Sequence, residues 1–120
     1  MQEATPPEIQ DGTLSIRISE EDSVRTLALA GELDLANTPT LAAQLDQRTA
    51  AELVLDMSEL EFIDSTGIAL LVATHRRLNG NGAVGFRLIG SESLAVRRVM
   101  ALTGLDAELP CGEAGEMPQA

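Results

Sequence analysis

The chain has 120 residues, a length that suits one domain with a real hydrophobic core. Nineteen acidic residues against 8 basic ones, all arginine, leave a net charge of −11, and a field of that sign repels nucleic-acid phosphates and anionic lipid surfaces. With only Phe62 and Phe86 as aromatics, the chain lacks the stacking platform that single-stranded nucleic acid needs.

The acidity favours a partner with a basic surface, and it equally serves solubility with no partner at all. Cys111 is the single cysteine, which excludes an intramolecular disulfide and a cysteine metal cluster. No basic-then-apolar leader opens the sequence and no apolar run reaches membrane-spanning length, so the expected location is the cytoplasm.

In chain order, residues 1–11 read as a flexible arm carrying Pro6-Pro7. Leu14 to Ser19 alternates apolar and polar, the mark of a half-buried strand. A turn at Glu20 to Ser23 leads to a second strand, Val24 to Ala30, paired antiparallel with the first. Gly31 to Asn37 is a loop. Thr38-Pro39 reads as the cap and first residue of a helix running to about Arg48, with Leu41 and Leu45 inward. Leu53-Val54-Leu55 is a short buried strand ended by Asp56, and Met57 to Ile63 a loop.

A second helix begins at Asp64-Ser65 and runs to about Asn79, where Gly80-Asn81-Gly82 stops it. Gly85 to Ile89 is a strand. Ser91 caps a third helix with Leu94, Val99 and Leu102 along it, ended by Gly104. Ala107-Glu108-Leu109 reads as a short edge strand, and residues 111–120 as a loose tail. The alternation of strands and helices predicts an α/β fold, a mixed and mainly parallel sheet of four to five strands with helices packed against it by right-handed crossovers.

The richest stretch is Phe62-Ile63-Asp64-Ser65-Thr66-Gly67-Ile68-Ala69-Leu70-Leu71. Apolar residues recur at Ile68, Leu71, Val72 and Leu78, a helical stripe, which puts Asp64 or Ser65 at the N-cap. A serine hydroxyl there is exposed, oriented and near the positive end of the helix dipole, a good place to carry phosphate. The plainer reading is that Asp64-Ser65 only caps a helix.

Other chemistries fail on spacing. Gly80-Asn81-Gly82-Ala83-Val84-Gly85 matches G-x-G-x-x-G, but it follows a helix and opens a strand, the reverse of a dinucleotide site. A hydrolase built on Ser65 needs a nearby base. His75, the only histidine, lies ten positions on, roughly 15 Å along the same helix. A lone histidine makes no metal site. The chain therefore reads as a non-enzyme that needs no cofactor or metal, and recognition is what survives. The loop carrying Glu32 and Asp34 and the loop from Glu59 to Ser65 leave the same carboxyl-end edge of the sheet, where such folds place their sites. Phosphate on Ser65 would add about −1.5 to −2 charge to that edge.

Gly31-Glu32-Leu33-Asp34, Leu53-Val54-Leu55-Asp56, Phe62-Ile63-Asp64-Ser65-Thr66-Gly67 and Leu102-Thr103-Gly104-Leu105 together resemble the STAS domain of bacterial anti-sigma factor antagonists, over about Leu14 to Leu109. The resemblance implies one STAS domain at residues 12–110. It also implies partner switching. In that family the unphosphorylated antagonist binds an anti-sigma factor that is an ATP-dependent serine kinase, which frees the sigma factor for transcription. Phosphorylation of the serine after the motif aspartate ends the binding, and a PP2C-type phosphatase restores it.

Carried onto this chain, Ser65 is the implied phosphorylation site and Thr66 the runner-up. Asp64 orients the acceptor and contacts the kinase. Asp34 belongs to the docking surface, and Gly67 lets the partner approach the helix start. Magnesium and ATP belong to the kinase, and the chain itself is expected to be a monomer or weak homodimer. The same domain also serves as a docking or scaffold subunit, in stressosomes and beside lipid ABC transporters, without a sigma switch.

Overall fold

The structure, a computed structural model, describes residues 7–47, 51–81, 85–103 and 111–112. Among the described residues, nine elements follow one another: β1 (Glu8–Asp11), β2 (Leu14–Glu21), β3 (Val24–Leu33), α1 (Thr38–Leu45), β4 (Glu52–Ile63), α2 (Ser65–Asn81), β5 (Gly85–Ile89), α3 (Leu94–Thr103) and β6 (Cys111–Gly112). The strands form one sheet in the order β1-β2-β3-β4-β5-β6. The β1–β2 and β2–β3 pairs are antiparallel, and β3–β4, β4–β5 and β5–β6 are parallel. The α/β reading and the mixed sheet hold. Its two outermost strands are new. Glu8–Asp11 pairs with β2 inside the stretch read as a flexible arm, and Cys111–Gly112 pairs with β5 inside the stretch read as a tail. The edge strand expected at Ala107 to Leu109 lies outside the described residues.

The β2–β3 hairpin closes through Asp22 and Ser23, with φ of 52° and 68°. Two left-handed residues give a turn whose twist matches that of the strands it joins. From there the side chains of one sheet face alternate inward: Leu14 and Ile16 of β2, Leu27, Leu29 and Leu33 of β3, Leu53 and Leu55 of β4, Phe86 and Leu88 of β5. The same core takes in Leu41 and Leu45 from α1, Leu71 and Leu78 from α2, and Val96 and Met100 from α3, so the three helices cover this face. In α3 the inward side is thus Val96, Val99 and Met100, whereas Leu94 is left outside.

β4 departs most from the sequence reading. It does not stop at Asp56 but continues to Ile63, so the expected loop from Met57 to Ile63 is strand. Its register against β3 slips twice: Ala28 and Ala30 face Asp56 and Glu59, and Gly31 and Glu32 face Leu60 and Phe62. Each slip puts one extra residue on β4, a bulge. Met57, Leu60 and Ile63 are consequently all buried at a spacing of three, a pattern that no period of two reveals.

At the amino end of the parallel strands, Arg25 is buried on the core face beneath α1. One guanidinium nitrogen donates to Glu20 Oε2 at 3.0 Å and the other to Gln44 Oε1 at 2.7 Å. Its Nε is buried without a partner among the described residues. At the other edge of the sheet, Thr40 Oγ1 donates to Asp11 Oδ2 at 2.5 Å and ties α1 to β1.

Candidate functional site

The carboxyl ends of β3 and β4 meet at Leu33–Leu35 and Asp64. β3 reaches this point through Gly31, whose φ is +95° and where a Cβ would lie 1.9 Å from the Thr13 carbonyl oxygen. Only glycine takes both that conformation and that approach. The Asp64 N–H donates to the Leu33 carbonyl at 3.2 Å, and the Leu35 N–H donates to Asp64 Oδ2 at 3.2 Å.

Asp64 is the cap of α2. Its Oδ1 accepts the backbone N–H of Thr66 at 3.0 Å, that of Gly67 at 3.1 Å and the Thr66 hydroxyl at 2.6 Å. Burial pushes the Asp64 carboxyl up. The Thr66 hydroxyl and the N–H groups of Gly67, Leu35 and Thr66 outweigh that effect and hold it below its ordinary value. Asp64 therefore stays ionised as an internal brace between the β3–α1 loop and α2.

Ser65 is the first residue of α2 and is exposed; among the described residues nothing takes up its hydroxyl. Thr66 is half-buried, and its hydroxyl proton is committed to Asp64. The two adjacent hydroxyls are thus not equivalent. The opening helical amides of Thr66 and Gly67 are occupied by Asp64.

Gly67 is buried, and a Cβ there would come 2.8 Å from Ile63 Cγ1 and 3.0 Å from Leu33 Cδ2. The missing side chain lets α2 settle on the ends of β3 and β4. Asp34 is half-buried, with Oδ1 accepting the Ala36 N–H at 3.1 Å. His75 is half-buried on α2, ten positions from Ser65.

The sequence reading missed Asn37. This residue, not Thr38, stands at the N-cap of α1, with Pro39 in the first turn. Its side chain is buried and turned back to the loop: Oδ1 accepts the Asp34 N–H at 2.8 Å and Nδ2 donates to the Glu32 carbonyl at 3.0 Å. The asparagine just before Thr38-Pro39 was the available signal, since a short amide in a tight loop hydrogen-bonds nearby backbone. Ser93 was missed in the same way. Its Oγ accepts the Val96 N–H at 3.5 Å and donates to the Glu61 carbonyl at 3.1 Å, while Ser91 Oγ donates to the Leu60 carbonyl at 2.6 Å. Ser93 caps α3, and Ser91 fastens the loop before it to β4.

Residues 16–110 match the family model described as "Mlab, STAS domain". The chain belongs to the STAS domain family. Its relatives include the anti-sigma-F factor antagonist RsfB of Mycobacterium tuberculosis, 29% identical over 97 residues that cover 78% of this chain and 77% of RsfB. The crystal structure of an anti-sigma factor antagonist from Mycobacterium paratuberculosis superposes with a TM-score of 0.73 at 30% identity, covering 82% of this chain and 84% of that one. SpoIIAA, an anti-sigma factor antagonist solved in its unphosphorylated form, shares the fold with a TM-score of 0.68 at 24% identity, covering 84% of this chain and 89% of its own. These STAS relatives are regulators by name, not enzymes. Among the described residues, no helix of this STAS domain is long and apolar enough to cross a membrane.

Proposed function

We propose that this STAS domain is an anti-sigma factor antagonist that works by partner switching. Unphosphorylated, it binds an anti-sigma factor carrying serine-kinase activity, and the sigma factor is released. The kinase then transfers the γ-phosphoryl group of its ATP to Ser65 Oγ: the O–P bond forms, ADP leaves, and the hydroxyl proton passes to a base on the kinase. The phosphate brings about −1.5 to −2 charge to the edge that already carries Asp34 and Asp64, and the complex separates. A PP2C-type phosphatase resets the chain.

The observation that carries this reading is the contrast between neighbouring hydroxyls: Ser65 exposed and unengaged, Thr66 bonded to Asp64 at 2.6 Å. It favours Ser65 over Thr66 as acceptor. The names of the relatives support the general role. The test is intact mass before and after incubation with the host's serine-kinase anti-sigma factors and Mg-ATP, followed by peptide mapping. A single phosphate on Ser65 is expected. Folded protein that takes no phosphate from any of them leaves the surface with a docking role and no sigma switch.

A further inference from the structure

Among the described residues, three large hydrophobic side chains are exposed: Leu35 at 69%, Phe62 at 43% and Leu94 at 63%. They come from three separate segments, yet all three stand at the same end of the sheet. The Leu35 N–H is bonded to Asp64, two residues after Phe62. Phe62 is the register partner of Glu32 at the end of β3. Leu94 follows Ser93, which donates to the carbonyl of Glu61, the residue before Phe62. An apolar side chain left in water once needs no explanation; three at one end of the sheet do.

Around Leu35 and Phe62 the charge has one sign. Residues 30–37 and 56–68 hold Glu32, Asp34, Asp56, Glu59, Glu61 and Asp64 and no basic residue; Glu92 stands two residues before Leu94, and the exposed Arg97 and Arg98 follow it within one turn of α3. Glu32, Glu59, Glu61 and Glu92 are exposed. Beside Phe62 an open depression of about 460 Å³, lined in part by Glu59, Glu61, Glu92 and Ser93, gives the acidic rim some depth.

We propose that one docking surface runs from Leu35 across Phe62 to Leu94 at the start of α3, and that its occupant is a protein presenting apolar pockets rimmed by arginine and lysine. This rests on the anti-sigma factor reading and specifies the partner's face: the contact reaches well past Ser65 and includes the β5–α3 corner. The apolar anchors supply the short-range attraction and the acidic rim the steering and orientation.

The test is calorimetric titration without nucleotide against each serine-kinase anti-sigma factor of the host, using the wild-type chain and Leu35→Ala, Phe62→Ala, Leu94→Ala and Glu61→Lys. Ser19→Ala on the opposite sheet face serves as control, and circular dichroism checks folding. Each apolar truncation is expected to weaken binding about tenfold or more, as interface anchors do. Glu61→Lys is expected to weaken it and flatten its salt dependence. Wild-type binding that Leu35→Ala and Leu94→Ala leave within about twofold overturns this surface and spares the antagonist reading. A wild-type chain that binds none of the factors overturns both.

Discussion

Leu35 and Asp64, 29 positions apart, are fastened to one another: the Leu35 N–H donates to Asp64 Oδ2 at 3.2 Å, while the same carboxylate caps α2 through its other oxygen. One side chain therefore fixes both the loop after β3 and the helix that presents Ser65. Asp64→Ala is expected to lower stability at neutral pH by about 1–2 kcal/mol, the scale of a lost N-cap. The carboxyl is held below its ordinary value of 3.8 in the folded chain. The stabilisation is therefore fully present above that value and is lost as pH falls through the lower folded value. Urea unfolding across the acid range should show the gap between wild type and variant closing only below pH 3.8.

Asn37 holds the same loop from the other side with two hydrogen bonds from its buried side chain, to the Asp34 N–H and the Glu32 carbonyl. Asn37→Ala strands both backbone groups and is expected to cost about 1–3 kcal/mol. Hydrogen exchange at the Leu35 amide should quicken in this variant more than exchange in β2. Uniform acceleration would mean that Asn37 supports the fold at large and has no special hold on the site.

Two glycines should rank in a fixed order. Alanine at Gly31 meets the backbone oxygen of Thr13, in the turn between β1 and β2, at 1.9 Å with φ at +95°; a cost of at least ~2 kcal/mol follows. Alanine at Gly67 meets only side-chain carbons of Ile63 and Leu33, which can shift, and gains helix propensity of up to about 1 kcal/mol. Thermal melting should place Gly31→Ala well below Gly67→Ala.

Phosphate placed on Ser65 would sit beside a carboxylate held ionised, with the Thr66 and Gly67 amides already taken. The second ionisation of the phosphoserine is therefore expected above its usual value of about 6. Phosphorus NMR titration of the phosphorylated chain measures it, and Asp64→Asn should bring it down.

Arg25 offers an opposite case. Its partners Glu20 and Gln44 retain access to water, and its Nε is buried without a partner among the described residues. Arg25→Met removes that orphan group and strands no charge, so chemical denaturation should find stability within about 1 kcal/mol of wild type.

Much of the edge that carries Ser65 was legible from residues alone. Leu14 to Ile18 alternates because it lies flat on one core face, and Ile68, Leu71, Val72 and Leu78 recur because α2 rolls over the same core. A cap at Asp64 or Ser65 was legible because few residues other than short acceptors suit that position. The second half of β4 was not. Its two bulges reset the inward phase twice within a few residues, and the acids Glu59 and Glu61 that point outward look like loop. The division of labour at the site was equally hidden. Whether a carboxylate faces a partner or its own backbone depends on the Leu35 amide, and nothing near Asp64 in the chain foretells that neighbour. The exposure of Leu94 was hidden too, since an apolar residue at the head of an amphipathic helix looks inward until the corner that precedes it is built.

The order of strands in the sheet is also the order of strands in the chain. No strand has to be inserted between two that are already paired. A sheet of this order can lengthen from one side without rearranging. Met57, Leu60 and Ile63, the least regular part of the core, arrive only after the β2–β3 hairpin offers them a template. The Ser65 end of the edge needs only β3 and β4 side by side, whereas its Leu94 end needs β5 and α3 as well, so the two ends of the surface depend on different lengths of chain.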